Sequence, residues 1–102
     1  MSEPLAGVMR VLSKAVRVGE VSELTAGVAA RIHSLVPEMR GDYFGATESG
    51  EFWVEDIEGD LHRLVRVKKD GLLRYSTFVD GKRIGRARLW TEESGWSDPA
   101  KS

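Results

Sequence analysis

The chain has 102 residues, no cysteine and a formal net charge of −1, with 41% hydrophobic and 30% charged residues. This length and composition are typical of one folded domain, and the lack of cysteine excludes disulfides and thiolate metal sites. The first residues lack the pattern of a secretory signal, and no apolar run is long enough to span a membrane. We therefore expect a cytoplasmic protein that makes no membrane contact.

The segment that ends at Pro37 has the apolar period of two amphipathic helices. The stripe of the first helix is Leu5, Val8, Met9, Leu12, Ala15 and Val16. Gly19 predicts a left-handed stop after this helix, and Ser22 predicts an N-cap for the second. The stripe of the second helix is Leu24, Val28, Ile32, Leu35 and Val36. A link of about four residues between them predicts an antiparallel pair.

From Gly41 the apolar period changes to two, which predicts strands. The predicted strands are Tyr43–Ala46, Phe52–Ile57, Leu61–Lys68, Leu72–Val79 and Arg83–Trp90. The predicted fold class is α+β: two N-terminal antiparallel helices packed on one face of a four- to five-stranded antiparallel β-meander. Residues 1–90 form a single domain in this prediction, and residues 91–102 form a frayed C-terminal tail. The expected core includes Leu12, Val28, Ile32, Val65, Leu73 and Tyr75.

The faces of the predicted sheet depend on two hairpin loops that contain Asp-Gly. If Lys69–Gly71 and Val79–Gly81 are three-residue loops that end in a glycine bulge, the apolar positions agree across the strands. The apolar face then collects Val65, Val67, Leu73, Tyr75, Gly85, Ala87 and Leu89. A two-residue turn would shift each pairing and mix the faces, so the apolar agreement favours the bulged register.

The charges are sorted along the chain. Residues 38–60 carry eight acidic side chains and one basic, and residues 61–90 carry nine basic and two acidic. In the bulged register the basic side chains and several aromatic ones share the face opposite the apolar one. The candidate partner-binding residues on this face are Arg66, Arg74, Phe78, Arg86, Arg88 and Trp90.

A basic and aromatic face is typical of two kinds of binding surface. Arginine and aromatic residues are favoured in protein interfaces, and cations beside aromatic rings also bind single-stranded nucleic acid. The alternative is that the arginines pair across strands with the acidic segment that precedes them, which leaves a merely solvated face.

The acidic segment is a second candidate surface, with Glu51, Glu55, Asp56, Glu58 and Asp60 as its members. Asp56, Glu58 and Asp60 resemble the start of a calcium loop only loosely. Leu61 stands where that loop needs glycine, and Val67 stands where it needs the closing glutamate. We therefore expect no metal here, and interpret the segment as a polar turn or as a surface that complements a basic partner.

The sequence contains no nucleophile elbow, glycine-rich phosphate loop or His-Glu-x-x-His pair, so we expect no catalysis and no cofactor. The leading hypothesis is a small non-catalytic interaction protein, of the inhibitor, immunity or regulatory adaptor type. It would bind another protein through its segregated charged surfaces. The alternative is a nucleic-acid-binding protein that uses the arginine-rich face, and a more distant one is a small metal-dependent enzyme at the acidic turn.

Overall fold

The main element of the protein is one antiparallel β-sheet. The computed structural model describes residues 6–17 and 19–97. The helices are α1 (Ala6–Arg17), α2 (Glu23–Ala29) and α3 (Ile32–Leu35). The strands are β1 (Tyr43–Ala46), β2 (Phe52–Glu58), β3 (Leu61–Val67), β4 (Leu73–Val79), β5 (Lys82–Arg83), β6 (Arg88–Thr91) and β7 (Gly95–Ser97).

Each strand of the seven-stranded sheet pairs with its neighbours in an antiparallel sense, in the order β1-β2-β3-β4-β6-β7. The short strand β5 also pairs with β4, beside Phe78 and Val79, whereas β6 pairs with the other end of β4. Together β5 and β6 therefore occupy the place of the single fifth strand that the sequence predicts.

The predicted architecture, a pair of antiparallel helices on a four- to five-stranded meander, is wrong, because the sheet has seven strands and the helices are small. The second predicted helix stops after Ala29. The backbone N–H of Arg31 donates to the carbonyl of Val28 at 2.9 Å. This bond spans three residues, whereas an α-helical bond spans four. Gly27 lies within the seven residues of α2 and lowers its helix propensity. None of the described helices is long and apolar enough to cross a bilayer.

Two of the predicted helix signals, the stop at Gly19 and the N-cap at Ser22, are confirmed. Gly19 has a φ of 80° after α1, and the hydroxyl of Ser22 accepts the backbone N–H of Thr25 at 3.1 Å. The hydroxyl of Thr25, which is itself fully buried, donates to the carbonyl of Lys68 at 2.9 Å. The start of α2 is thus tied to the loop between β3 and β4.

One face of the sheet, which we call the inner face, packs against the helices. Its fully buried residues are Phe52, Val54, Val65, Val67 and Leu73. They form one core with Val28 of α2, Ile32 of α3 and Val36. The expected burial of Val28, Ile32, Val65, Leu73 and Tyr75 is confirmed. The expected burial of Leu5, Val8, Met9, Leu12 and Val16 concerns side chains outside those that the structure describes.

The chain continues in the sheet beyond the predicted end of the domain. Strand β7 pairs with β6, and Trp96 lies directly opposite Trp90. Trp90 is buried and Trp96 packs against the core. Residues 91–97 are thus part of the sheet where the sequence predicts a frayed tail, and residues 98–102 lie outside the described part of the chain.

The core predicts a large stability difference between two isoleucine substitutions. Ile32 is fully buried, whereas Ile84 is 53% exposed. We expect Ile32→Ala to lower the free energy of unfolding by about 2–5 kcal/mol, because it removes buried methylene groups and leaves a cavity. Ile84→Ala, which deletes the same atoms, should change it by less than about 0.5 kcal/mol. Urea unfolding of both variants measures this, and similar midpoints would contradict the described core.

Candidate functional site

The turn between β4 and β5 decides which side chains share a face. Val79 pairs with Lys82 and Phe78 with Arg83, so the loop is the two residues Asp80 and Gly81. Both have positive φ, 52° and 77°, as a type I′ turn requires. The three-residue loop that the sequence predicts here is wrong. The register predicted for the preceding hairpin, with Val67 opposite Leu73 and Val65 opposite Tyr75, is confirmed.

The shorter turn moves two predicted partner-binding residues to the inner face. Arg88 pairs with Tyr75, and Trp90 pairs with Leu73. The guanidinium of Arg88 stacks over the ring of Trp96 at 4.5 Å from its centroid. Trp90 is part of the core. The structure therefore does not bring Arg88 and Trp90 together with Arg66 and Arg74. A loop that is one residue shorter than predicted moves these side chains to the opposite face of the sheet.

A bulge between β5 and β6 brings Arg86 back to the opposite face. Two residues of β4, Ser76 and Thr77, lie opposite the four residues 84–87. The N–H of Ile84 donates to the carbonyl of Thr77 at 2.7 Å, and Gly85 has a φ of 66°. In a regular strand Arg86 would share the face of Arg88. The bulge instead places Arg86 at a cavity of the other face, the outer face, which is a recognised effect of bulges.

The outer face carries a groove made of two cavities, of about 480 Å³ and about 200 Å³, that share Arg74 and Arg83. The cations that line them are Arg66, Lys68, Arg74, Arg83 and Arg86, and we call the site the basic groove. Its apolar lining is Leu64, Leu72, Phe78, Ala87 and Leu89. None of the described residues that line either cavity is acidic.

Three cations of the basic groove, Arg66, Arg74 and Arg83, line the same cavity and have few described carboxylates near them. Arg66 and Arg74 are directly opposite on β3 and β4, an arrangement of like charges that destabilises a sheet. The nearest approach of Arg66 to Glu51 is 3.9 Å, which is too long for a hydrogen bond. Within the described residues, neither Arg74 nor Arg83 has a carboxylate within 4 Å. The basic groove thus favours an anionic ligand.

Four of the predicted basic-face residues, Arg66, Arg74, Phe78 and Arg86, line the basic groove. Sequence reasoning missed Arg83, which lines both cavities. The Asp-Gly dipeptide is itself the signature of a two-residue turn, and that turn would have placed Arg83 opposite Phe78.

The predicted acidic patch is divided between the two faces. Glu51 lies near Arg66, and Glu55 lies 4.0 Å from His62, both on the outer face. On the inner face Glu58 accepts a hydrogen bond from Arg63 at 3.2 Å. Asp60 is exposed in the turn between β2 and β3. Among the basic-face arginines of the described residues, Arg66 alone has a carboxylate of the patch within 4 Å, that of Glu51, and Glu58 pairs with Arg63 of the inner face.

Asp56, the remaining member of the patch, is fully buried. Its carboxylate accepts the backbone N–H groups of Arg40 at 2.6 Å, Gly41 at 2.8 Å and Asp42 at 3.2 Å. The guanidinium groups of Arg40 and Arg63 lie 3.9 Å away. A hydrogen bond and the charge of Asp42 raise the pKa of Arg40 above its usual value. Asp56 therefore holds the loop that enters β1 and is not available to an external partner.

Other parts of the surface carry less chemical information. A cavity of about 570 Å³ between loops is lined by Glu20, Glu48 and Lys69 among others. Its charges are of both signs and therefore favour no class of charged ligand. In the described residues no group of three or more acidic or histidine side chains is placed to hold a metal ion. Comparisons with protein-family models, curated proteins and solved structures found no match. The function is therefore argued from the chemistry of the basic groove.

On the inner face, the hydroxyl of Tyr75 donates to Glu38 at 2.9 Å. Burial of this hydroxyl, helped by the hydrogen bond, raises the pKa of Tyr75 above its ordinary value of 10.0. The folded chain thus holds the phenolic proton more tightly than the unfolded chain does. The resulting stability is present below pH 10 and is lost as the pH rises through the pKa of the folded state.

The buried carboxylate predicts that Asp56→Asn destabilises the fold. The amide retains one oxygen and turns an N–H group towards backbone donors, which leaves buried groups without partners. We expect the free energy of unfolding to fall by roughly 1–3 kcal/mol. Asp60→Asn, at an exposed position, should change it by less than about 0.5 kcal/mol. Chemical denaturation compares the two, and equal stabilities would contradict the anchoring role of Asp56.

The Tyr75 hydrogen bond predicts a delayed titration. The chain has two tyrosines, so in Tyr43→Phe the tyrosinate absorbance reports Tyr75 alone. The midpoint should lie above pH 10 in the folded protein and near 10 in concentrated urea. Adding Glu38→Gln should lower the folded midpoint, because the carboxylate no longer accepts the phenolic hydrogen bond. A folded midpoint at or below the unfolded one would contradict this description of the Tyr75 site.

Proposed function

We propose that the protein is a non-catalytic interaction protein that binds an acidic segment of another protein in the basic groove. The observation that carries this proposal is the set of five cations around two joined cavities whose described lining has no acidic residue. Such a protein acts as an inhibitor or adaptor by occupying a surface, which requires affinity and no chemical step.

The lining of the basic groove supports a polypeptide partner. Arginine binds a carboxylate through two parallel hydrogen bonds, and Arg74 and Arg83 are both placed where the two cavities join. The apolar side chains between the cations, such as Leu72 and Leu89, offer contacts to apolar residues of the ligand. A segment that alternates acidic and apolar residues would complement both features.

A nucleic-acid partner has less support. Sequence-independent binding of a single strand combines a basic track with aromatic rings on which successive bases stack. Trp90, one of the two expected aromatic residues, belongs to the core. Phe78 is the one aromatic residue among the described residues that line the basic groove. The charge of the groove suits a phosphate backbone, so nucleic acid remains the competing ligand in the test.

The matched positions Arg83 and Lys82 provide the test. They are neighbours in β5, but Arg83 lies opposite Phe78 on the outer face and Lys82 lies opposite Val79 on the inner face. The probe is a fluorescent peptide of alternating glutamate and leucine, followed by anisotropy at low salt. Arg83→Glu should weaken binding by about tenfold or more, because it replaces an attraction by a repulsion. Lys82→Glu, with the same change in net charge, should weaken it by less than about twofold.

Three results would contradict the proposal. The first is no binding of the peptide at low salt, and the second is equal weakening by both variants, which would mean that only net charge matters. The third is tighter binding of a single-stranded oligothymidine than of the peptide, with a steep loss as salt rises. Thermal melts followed by circular dichroism show that both variants are folded.

A further inference from the structure

We propose that the smaller cavity of the basic groove is a site for a phosphoryl group, so that the segment bound there is a phosphorylated one. This inference rests on the proposed function, because it specifies the ligand of the same groove. Three observations carry it: the arginines that line the smaller cavity, the position of Ser76 at its wall, and the pairing of Arg66 with Arg74 across two strands.

The smaller cavity, about 200 Å³, concentrates positive charge. Of the six described residues that line it, three are arginines, namely Arg66, Arg74 and Arg83, and none is acidic. A carboxylate offers a single negative charge and two oxygens to such a group. A phosphoryl group carries a charge of about −1.5 to −2 at pH 7 and has three strong acceptor oxygens. In both charge and number of acceptor oxygens, a phosphoryl group therefore matches three guanidinium groups better than a carboxylate does.

Ser76 adds a neutral donor to the same cavity. It is only 7% exposed, on the central strand β4, and it lines the smaller cavity. A serine hydroxyl can donate as well as accept a hydrogen bond, so Ser76 at the wall of a cationic cavity is suited to donate to an oxygen of the ligand.

A doubly charged anion would relieve the electrostatic repulsion between Arg66 and Arg74. Their α-carbons are partners in the register of β3 and β4, two strands that pair over seven residues each. The two side chains thus start from a rigid platform and repel each other while the site lacks an anion. An anion between them turns this repulsion into two charge-assisted hydrogen-bond contacts, which is how arginine clusters recognise phosphorylated segments.

The rest of the groove would contact the residues of the bound segment that flank its phosphoryl group. The walls of the smaller cavity include Leu64 and Phe78, which offer apolar contacts to the residues beside the phosphoryl group. The larger cavity adds Lys68 and Arg86 with apolar neighbours, and this is the part that an acidic flank would occupy. The two cavities thus divide recognition between a phosphoryl group and its surroundings.

The test compares three versions of the glutamate–leucine peptide, with serine, glutamate or phosphoserine at the central position. We expect the phosphoserine peptide to bind at least about tenfold more tightly than the glutamate peptide at pH 7.5. The preference should shrink several-fold at pH 5, because the second pKa of a phosphoryl group is about 6. Millimolar inorganic phosphate should displace the phosphoserine peptide, because it occupies the same cavity.

Two variants separate the cavities. Arg66 lines only the smaller cavity and Lys68 only the larger one, although they are two residues apart on the outer face. Arg66→Gln, or Ser76→Ala as a second variant, should reduce the preference for phosphoserine over glutamate at least threefold. Lys68→Gln should weaken both peptides by the same factor and leave that preference unchanged. Equal effects of Arg66→Gln and Lys68→Gln on the preference would overturn the proposed division.

The outcomes distinguish this inference from the proposed function. Equal affinity for the phosphoserine and glutamate peptides, with Arg83→Glu still weakening both, would overturn the phosphoryl site and leave the proposed function standing. Failure of all three peptides to bind would overturn both. Tighter binding of oligothymidine than of the phosphoserine peptide would also overturn both and assign the groove to nucleic acid.

Discussion

The two-residue turn at Asp80 and Gly81 is the constraint on which the basic groove depends. Aspartate is one of the few residues other than glycine that adopt positive φ readily, and a type I′ turn matches the twist of the paired strands. The N–H of Asp80 also donates to the carbonyl of Asp60 at 3.2 Å, which couples this turn to the one between β2 and β3. The turn fixes the face of every residue up to the bulge and so places Arg83 beside Phe78. Because the bulge adds two residues, an even number, the same alternation resumes at Arg88 and places Trp90 in the core.

The first four strands could be predicted to within one residue at each end, because each has clear apolar alternation between glycine-containing turns. The segment from Ile84 to Arg88 could not be assigned in this way. Gly85 and Ala87 are small enough to lie on either face of the sheet. The residues that alternate with them are one apolar residue, Ile84, and two basic ones, Arg86 and Arg88. Apolar alternation favoured the register that puts Gly85, Ala87 and Leu89 on the apolar face, which is wrong, and alternation cannot show a bulge. Trp90 carried the strongest preference for burial, and pairing it with Leu73 would have corrected the register.

The second helix was predicted to be continuous because its apolar stripe is continuous. The structure keeps most of that stripe buried, with Val28 and Ile32 in the core, while the backbone breaks between them. The break places Arg31 over the ring of Trp90, 5.9 Å from its centroid, and 2.8 Å from Glu92. These contacts join the helical segment to strand β6 and the turn that follows it, and no periodic pattern in either segment indicates that they meet. Tertiary packing thus overrides a periodic pattern in a segment of low helix propensity.

The order of the strands turns the sorted charges of the sequence into the basic groove. Strand β2 is acidic and lies next to β3, so cations of β3 such as Arg63 find carboxylates across the strand pair. Strand β4 has β3 on one side and β5 and β6 on the other, and all of these are basic. Arg74 on β4 therefore has Arg66 opposite it and Leu89 on its other side. The positive charge of β3, β4 and β5 therefore accumulates on the outer face around β4, where the proposed anionic segment would gain most from electrostatic attraction.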